Sequence, residues 1–282
     1  MIATALPGPR SRPSESAVRR NGRMASYFSS LGGLRFFYQA IVELRSETRA
    51  VAAIECLARG PKGTPLENPE KLIQFFRDRG DGADMDGYCV FSALLDAVRI
   101  PGEPMVAVNV QCPTAADPAF PGRLGRLVDA AGIPPSRLVL DIGLGRDDVD
   151  EAVLSRCVKE LCRAGFRVCF DEESAFVSPF SLLVDAAPDF VKLHRSVLAS
   201  LRNDTWAANT LEAACNLGRS VGFRIIAEGI EEKADLDSVL RFDVDLGQGY
   251  LLSRPVERAS VGRQRPAEAI QAAPAWTNVY SR

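Results

Sequence analysis

Short apolar runs recur along the chain, and each ends in a polar residue. They read Ala53-Ile54-Glu55, Val106-Ala107-Val108-Asn109, Leu138-Val139-Leu140-Asp141, Val168-Cys169-Phe170-Asp171-Glu172, Phe190-Val191-Lys192, Ile225-Ile226-Ala227-Glu228 and Val244-Asp245-Leu246-Gly247-Gln248. Runs of this length and composition predict strands buried on both faces, as in a parallel sheet. Helical patterns lie between them. Asn68-Pro69 predicts a helix start, with Asn as cap and Pro at the first helical position, and Leu72, Ile73, Phe75 and Phe76 supply its apolar face. Further helices are expected over 86–98, from Pro118, over 148–164, over 179–185, as one long helix over 195–217, and over 233–240, with a last strand near Asp243. Ahead of all these, Phe36–Leu44 and Val51–Leu57 read as adjacent strands joined through Ser46-Glu47-Thr48. Roughly eight strands alternating with helices over about 220 residues predict an α/β protein, a TIM-like (β/α)8 barrel.

The two ends break the pattern. Residues 1–33 are rich in Pro, Gly and Arg, with Arg19, Arg20 and Arg23 close together, and read as a disordered basic arm. Residues 34–256 form the expected domain, and 257–282, rich in Ala, Arg and Pro, read as a tail. A net charge of -2 argues against a general nucleic-acid binder, so no nucleic-acid partner is expected. No apolar run approaches the length of a membrane span and no signal-peptide pattern is present, so the expected location is cytoplasmic. The seven cysteines form no CxxC pair, which predicts reduced thiols packed in the core.

Active-site residues of such barrels collect at the carboxyl ends of the strands, where the polar endings fall. Glu55, Asn109, Asp141, Asp171, Glu172 and Glu228 offer oxygen donors only, which suit the hard cations Mg²⁺ or Mn²⁺. The single histidine, His194, leaves little room for a histidine-based zinc site or a Ser-His triad. Asp171 followed by Glu172 could bridge a pair of metals, the usual device for phosphodiester hydrolysis. Lys192 could orient a water or offset developing charge, and Arg59 could grip a phosphate oxygen.

Read in order, seven motifs resemble those of the EAL domain family of cyclic-di-GMP phosphodiesterases. Glu55-Cys56-Leu57-Ala58-Arg59 stands for E-A-L-x-R, Val108-Asn109-Val110 for V-N-x, and Leu138-Val139-Leu140-Asp141-Ile142 for L-x-L-E-I. Phe170-Asp171-Glu172 resembles L-D-D, Val191-Lys192-Leu193 resembles L-K-I, and Glu228-Gly229-Ile230-Glu231 resembles E-G-V-E. Gln248-Gly249-Tyr250 matches Q-G-Y, followed by Arg254-Pro255. The resemblance implies a barrel with one strand antiparallel and hydrolysis of cyclic-di-GMP to pGpG with Mg²⁺ or Mn²⁺ at a two-metal site. It implies Glu55, Asn109, Asp141, Asp171 and Glu228 as metal ligands, with Glu172 serving the second metal. Lys192 would act on the catalytic water, with Gln248 and Glu231 nearby, and Arg59 would contact a phosphate. A homodimer or a protein partner is left open.

The chain departs from the family pattern at five places that matter and, in a smaller way, at Cys56. Asp141 replaces a glutamate, which draws its carboxylate back by about 1.5 Å, one C–C bond. Glu172 replaces an aspartate and errs the other way. Leu144 stands where a second glutamate of the E-I-T-E motif belongs and cannot accept a hydrogen bond. The D-D-F-G-T-G loop reads Asp171-Glu172-Glu173-Ser174-Ala175-Phe176, without either glycine. His194 replaces the aspartate of K-I-D and is expected as a hydrogen-bonded histidine at the barrel rim; Cys56, in place of the alanine of E-A-L, is expected to pack. Three readings therefore stand side by side: an attenuated phosphodiesterase, a receptor that binds cyclic-di-GMP without cutting it, and a protein-interaction module.

Overall fold

In the computed structural model, which describes residues 33–46, 48–144, 149–172, 180–201 and 204–261, Arg35–Glu43 (β1) runs antiparallel to Val51–Arg59 (β2). Parallel strands follow: Met105–Gln111 (β3), Leu138–Leu144 (β4), Arg167–Glu172 (β5), Phe190–Leu193 (β6), Arg224–Ala227 (β7) and Leu246–Gly247 (β8). Each pairs in parallel with the next from β2 to β8, and β8 closes antiparallel onto β1. The result is a closed eight-stranded barrel with β1 reversed, the (β/α)8 fold expected from the alternation of runs. A short strand, Val256–Glu257 (β9), pairs with the opposite end of β1.

Helices form the outer ring. Pro69–Asp78 (α1) begins as its sequence dictates: the Asn68 side chain accepts from the Lys71 N–H, and Pro occupies the first turn. Gly82–Ala97 (α2) leads into β3, and a one-turn helix, Cys112–Ala115 (α3), leaves it. Then come Phe120–Ala131 (α4), Glu151–Arg163 (α5) and Phe180–Ala186 (α6). The long helix expected over 195–217 is two helices, Arg195–Leu201 (α7) and Thr205–Val221 (α8). Asp204 separates them: in extended conformation, it caps α8 by accepting from Trp206 N–H, so the chain restarts there. Lys233–Leu240 (α9) lies where expected. The last barrel strand comes later than expected: Asp243 sits at φ 56° in the turn after α9, and pairing begins at Leu246.

The barrel interior is layered. Ile41, Ala53, Ala107, Val139, Cys169, Phe190, Ile226 and Leu246, one from each strand, form their own apolar cluster inside the barrel. The larger core lies between the strands and the helices, and Leu144 belongs to it. Because side chains alternate along a strand, the residue two positions nearer the carboxyl mouth points the same way. On β1, which runs backwards, this is two positions earlier. Those residues are Gln39, Glu55, Asn109, Asp141, Asp171, Lys192, Glu228 and Gln248. All eight are polar, so an apolar floor is followed directly by a complete polar layer.

The seven cysteines are free thiols, and all but the half-buried Cys162 are buried. Among the described residues no helix is long and apolar enough to cross a membrane.

Candidate active site

Lys192 is the centre of the polar layer. Its side chain is 1% exposed, and its Nζ lies 2.9 Å from Glu55 Oε1, 2.5 Å from Asp141 Oδ2 and 3.1 Å from Glu228 Oε1. Those carboxylates come from β2, from β4 and from the residue after β7, so only the closed barrel brings them together. Glu55 is the most heavily bonded of them. Its Oε1 accepts from Lys192 Nζ and from Asn109 Nδ2 at 3.1 Å, and its Oε2 accepts from Gln248 Nε2 at 2.6 Å.

Asp141 is the opposite case. It is fully buried; its Oδ2 lies 2.5 Å from the Lys192 ammonium, and its Oδ1 has no hydrogen-bond partner among the described residues. Gln248 Oε1 is likewise buried and unpartnered. Buried acceptors left without donors are costly.

Four carboxylates of the layer, Glu55, Asp141, Asp171 and Glu228, face one ammonium. Burial is the largest influence on Glu55, Asp141, Glu228 and Lys192. It pushes Asp141 up to about 8, with Asp171 and Glu55 adding to the rise and Lys192 opposing it. Burial also pushes Glu228 up to about 7 against the pull of Lys192. For Glu55 burial acts upward, but Lys192 and the hydrogen bonds from Gln248, Lys192 and Asn109 outweigh it, and the carboxyl ends below its ordinary range. Burial would depress Lys192, yet Asp141, Glu55, Glu228 and Asp171 together hold it well above its ordinary value. The layer therefore contains more acid than its own cation neutralises, and it holds on to protons as a result.

A hard cation fits this donor set in kind. The donors are carboxylate and amide oxygens, Asp141 Oδ1 and Gln248 Oε1 are buried without a hydrogen bond among the described residues, and the surplus charge is negative. Among the described residues, no three acids already converge in metal-binding geometry, since the Lys192 ammonium stands between them.

The other residues singled out from the sequence lie around this centre. Asn109 is exposed at the mouth and Asp171 is half-buried. The backbone of Glu172 ends β5, and its side chain lies outside the described residues. Glu231 is exposed, its N–H held by Asp235 Oδ2 at 3.1 Å. Arg59 ends β2, and one of its guanidinium nitrogens donates to Ala58 O at 2.9 Å. Burial draws the Arg59 guanidinium below its ordinary value, while Glu55 and Tyr250 pull it back up. His194 sits half-buried at the rim, where its Nδ1 pairs with Ser196 Oγ at 3.0 Å and accepts from Ser196 N–H. The D-D-F-G-T-G equivalent beyond Glu172 lies outside the described residues.

Two contributors were not foreseen. Gln39 completes the layer from β1: its Oε1 accepts from Gln248 Nε2 at 3.1 Å, and its Nε2 donates to Ser253 O at 2.8 Å. Asp86 of α2, buried, accepts from Gln111 N–H at 3.0 Å and from Gln111 Nε2 at 3.1 Å, while Gln111 Oε1 accepts from Arg77 Nε at 2.7 Å. This chain of contacts ties α1 and α2 to the end of β3, two residues beyond Asn109. Gly249 lets the strand-end turn close tightly, because a β-carbon there would meet the Ile230 backbone oxygen at 2.1 Å.

Gln39→Leu is expected to destabilise the protein by about 1–3 kcal/mol, since it removes the bond from Gln39 to the half-buried Ser253 carbonyl and takes an acceptor from the buried Gln248. Urea unfolding measures this; an unchanged midpoint would show that water replaces both bonds.

The model of one family, described as EAL domain, matches residues 23–255. The chain is 26% identical over 232 residues to the y4lL protein of Sinorhizobium fredii, covering 80% of this chain and 27% of that protein. It is 23% identical over 226 residues to PdeB of Escherichia coli, a probable cyclic di-GMP phosphodiesterase, covering 78% of this chain and 42% of that one. The chain thus spans less than half the length of these relatives. Among solved structures, Klebsiella pneumoniae BlrP1 in complex with manganese and cyclic-di-GMP superposes with a TM-score of 0.71 at 23% identity, covering 80% of this chain and 56% of that one.

Proposed function

The chain belongs to the EAL domain family, and from that membership we propose that it binds cyclic-di-GMP across the polar layer and hydrolyses it slowly to pGpG with Mg²⁺ or Mn²⁺. The observation that carries this reading is the gathering of Glu55, Asp141, Asp171 and Glu228 about the single Lys192 ammonium, more acid than that cation neutralises, with Asp141 Oδ1 and Gln248 Oε1 buried and without a hydrogen bond among the described residues. Such a ring calls for further positive charge, and the relatives named as cyclic-di-GMP phosphodiesterases, together with the manganese complex of BlrP1, support the identity of both ligands. Glu55, Asn109, Asp141, Asp171 and Glu228 would hold the metal, and Glu172 would serve a second one.

When bound, the dication supplies Lewis acidity at the phosphate and acidifies water. The rest falls to the chain. Arg59, at the end of β2, holds a phosphate oxygen through its fork of donors. Lys192 is held protonated by four acids, so it acts as a donor: it orients the water and offsets charge that builds on the phosphate. Water adds to phosphorus, one phosphodiester P–O bond of the ring breaks, and linear pGpG leaves. Asp141 sets the slow rate. Its carboxylate reaches about 1.5 Å less far than a glutamate, and a positional error near 1 Å costs on the order of a hundredfold in rate.

A receptor reading has its own supporting observation: Lys192 already stands among Glu55, Asp141 and Glu228, and no three acids of the described residues form a ready metal cluster. Incubation of the protein with cyclic-di-GMP and Mn²⁺, followed by chromatography, separates the two. Slow pGpG formation that a chelator abolishes is the expected result. Retained nucleotide with no product leaves the receptor reading standing.

A further inference from the structure

The polar layer is not the last step of the mouth. β1 and β2 pair in register from Arg35 opposite Arg59 to Ile41 opposite Ala53, and the irregularity of the hairpin falls beyond, between Ile41 and Val42. Side chains therefore alternate without a break toward the mouth. Beyond Gln39 and Glu55 come Phe37 and Leu57, and beyond those Arg35 and Arg59, on the face that lines the barrel. At about 3.3 Å per residue, the backbone of the two arginines stands about 13 Å farther along the strands than that of the polar layer.

Arg35 and Arg59 are direct cross-strand partners. Such a pairing sets Cα atoms about 5 Å apart and is destabilising for like charges. Arg35 acts on Arg59 accordingly, adding to the lowering that burial causes there. Among the described residues Arg59 has no ion pair, and its hydrogen bond goes to the carbonyl of Ala58 beside it. Arg35 has a carboxylate, but an open one: Glu67 lies 2.5 Å away and is 44% exposed. The Arg35 guanidinium also lies over the Phe37 ring, 5.6 Å from its centroid, which holds it on the mouth-facing side of β1. Two cations thus stand at the rim with one exposed carboxylate between them.

Resting on the reading of the mouth as a cyclic-di-GMP site, we propose that Arg35 is a second phosphate-binding residue, and that Arg35 and Arg59 clamp one phosphate group of the nucleotide between their guanidinium forks. An anion between the two forks replaces their repulsion with charge-assisted contacts to both. Glu67 competes with the phosphate for Arg35, but only with the modest strength of an exposed ion pair.

Titration of the full-length protein with cyclic-di-GMP in chelator, where turnover does not intrude, tests this. Arg35→Ala and Arg59→Ala are each expected to raise Kd about tenfold, the scale of one lost charged hydrogen bond. Arg35→Lys should lose less, because it keeps the charge and gives up the fork. Glu67→Gln should lower Kd severalfold by releasing Arg35, and the same substitution added to Arg35→Ala should bring no gain. That dependence separates a phosphate contact from a merely structural arginine. The Arg35–Glu67 pair is exposed and contributes little to stability, so the variants should keep the parent's urea midpoint. A folded Arg35→Ala that binds as the parent does, while Arg59→Ala binds weakly, would overturn the role of Arg35 and leave the nucleotide site standing. A gain from Glu67→Gln that persists without Arg35 would do the same. A parent that binds no nucleotide would overturn both.

Discussion

Replacing Lys192 with methionine is expected to lower the stability of the metal-free protein by about 3–5 kcal/mol near pH 7, the usual cost of leaving buried charges without their partner. The ammonium is 1% exposed and lies within 3.1 Å of three carboxylates, so no solvent stands ready to take its place. The loss should depend on pH in a definite direction. Asp141 and Glu228 already have raised values in the fold, about 8 and about 7, and without Lys192 they rise further. A carboxyl raised in the fold favours the folded state when protonated. Its contribution is complete below the ordinary carboxylate value near 4 and is lost as pH climbs through the folded value. The contribution of these two carboxyls to the variant's stability should therefore fall steadily from about pH 4 to about pH 8. The wild type, with its ammonium in place, should show a shallower slope. Mn²⁺ should restore part of the loss, because a dication answers the same surplus charge. Urea titrations across pH, in chelator and in Mn²⁺, measure all three. A variant as stable as the parent, flat in pH and indifferent to Mn²⁺, would mean that the acids do not converge on Lys192.

Glu55→Ala is expected to lower Mn²⁺-dependent turnover of cyclic-di-GMP by at least about a hundredfold. Glu55 is held below its ordinary value by Lys192 and by its hydrogen bonds, against burial, so it is ionised throughout the neutral range. It also fixes three neighbours: Asn109, Lys192 and Gln248 all donate to it. Alanine removes a proposed metal ligand and releases those three donors together. Asn109 is exposed and gains water easily, whereas Lys192 and Gln248 are buried and must find new acceptors. The effect should therefore appear in kcat as well as in the Mn²⁺ concentration needed for activity. Turnover unchanged by the substitution would place the chemistry elsewhere.

Seven of the eight residues in the polar layer are visible in the sequence as interruptions at the ends of apolar runs, because on a parallel strand the polar layer follows the apolar floor in chain order. Gln39 escapes that reading for a physical reason. β1 runs the other way, so its mouth-facing residue precedes the floor residue Ile41, between Tyr38 and Ala40; the available signal was its two-residue spacing from Ile41. The reversed strand itself followed from the family resemblance and is borne out by the antiparallel pairing of β1 with β2 and β8. The split between α7 and α8 was hidden because Arg195 to Leu217 sustains a helical pattern throughout, and only the capping propensity of Asp204 marks the restart. The convergence of Glu55, Asp141 and Glu228 on Lys192 could not be read from any one run. It depends on strand register, in which Asp141 pairs with Cys169, and Lys192 with both Asp171 and Ile226. Asp86 was equally invisible: it lies within an apolar helix, and its bond to Gln111 exists only once α2 has packed against β3.

Equilibrium dialysis of the protein against cyclic-di-GMP, with and without Mn²⁺, tests most directly that the polar layer is a nucleotide site. The account predicts nucleotide retained on the protein side, more tightly with Mn²⁺ than in chelator, and retained less by Arg59→Ala. Any retained material is chromatographed, so that pGpG counts as nucleotide bound and cut. Equal nucleotide on both sides of the membrane, with and without Mn²⁺, would contradict it and leave the barrel as a protein-interaction module.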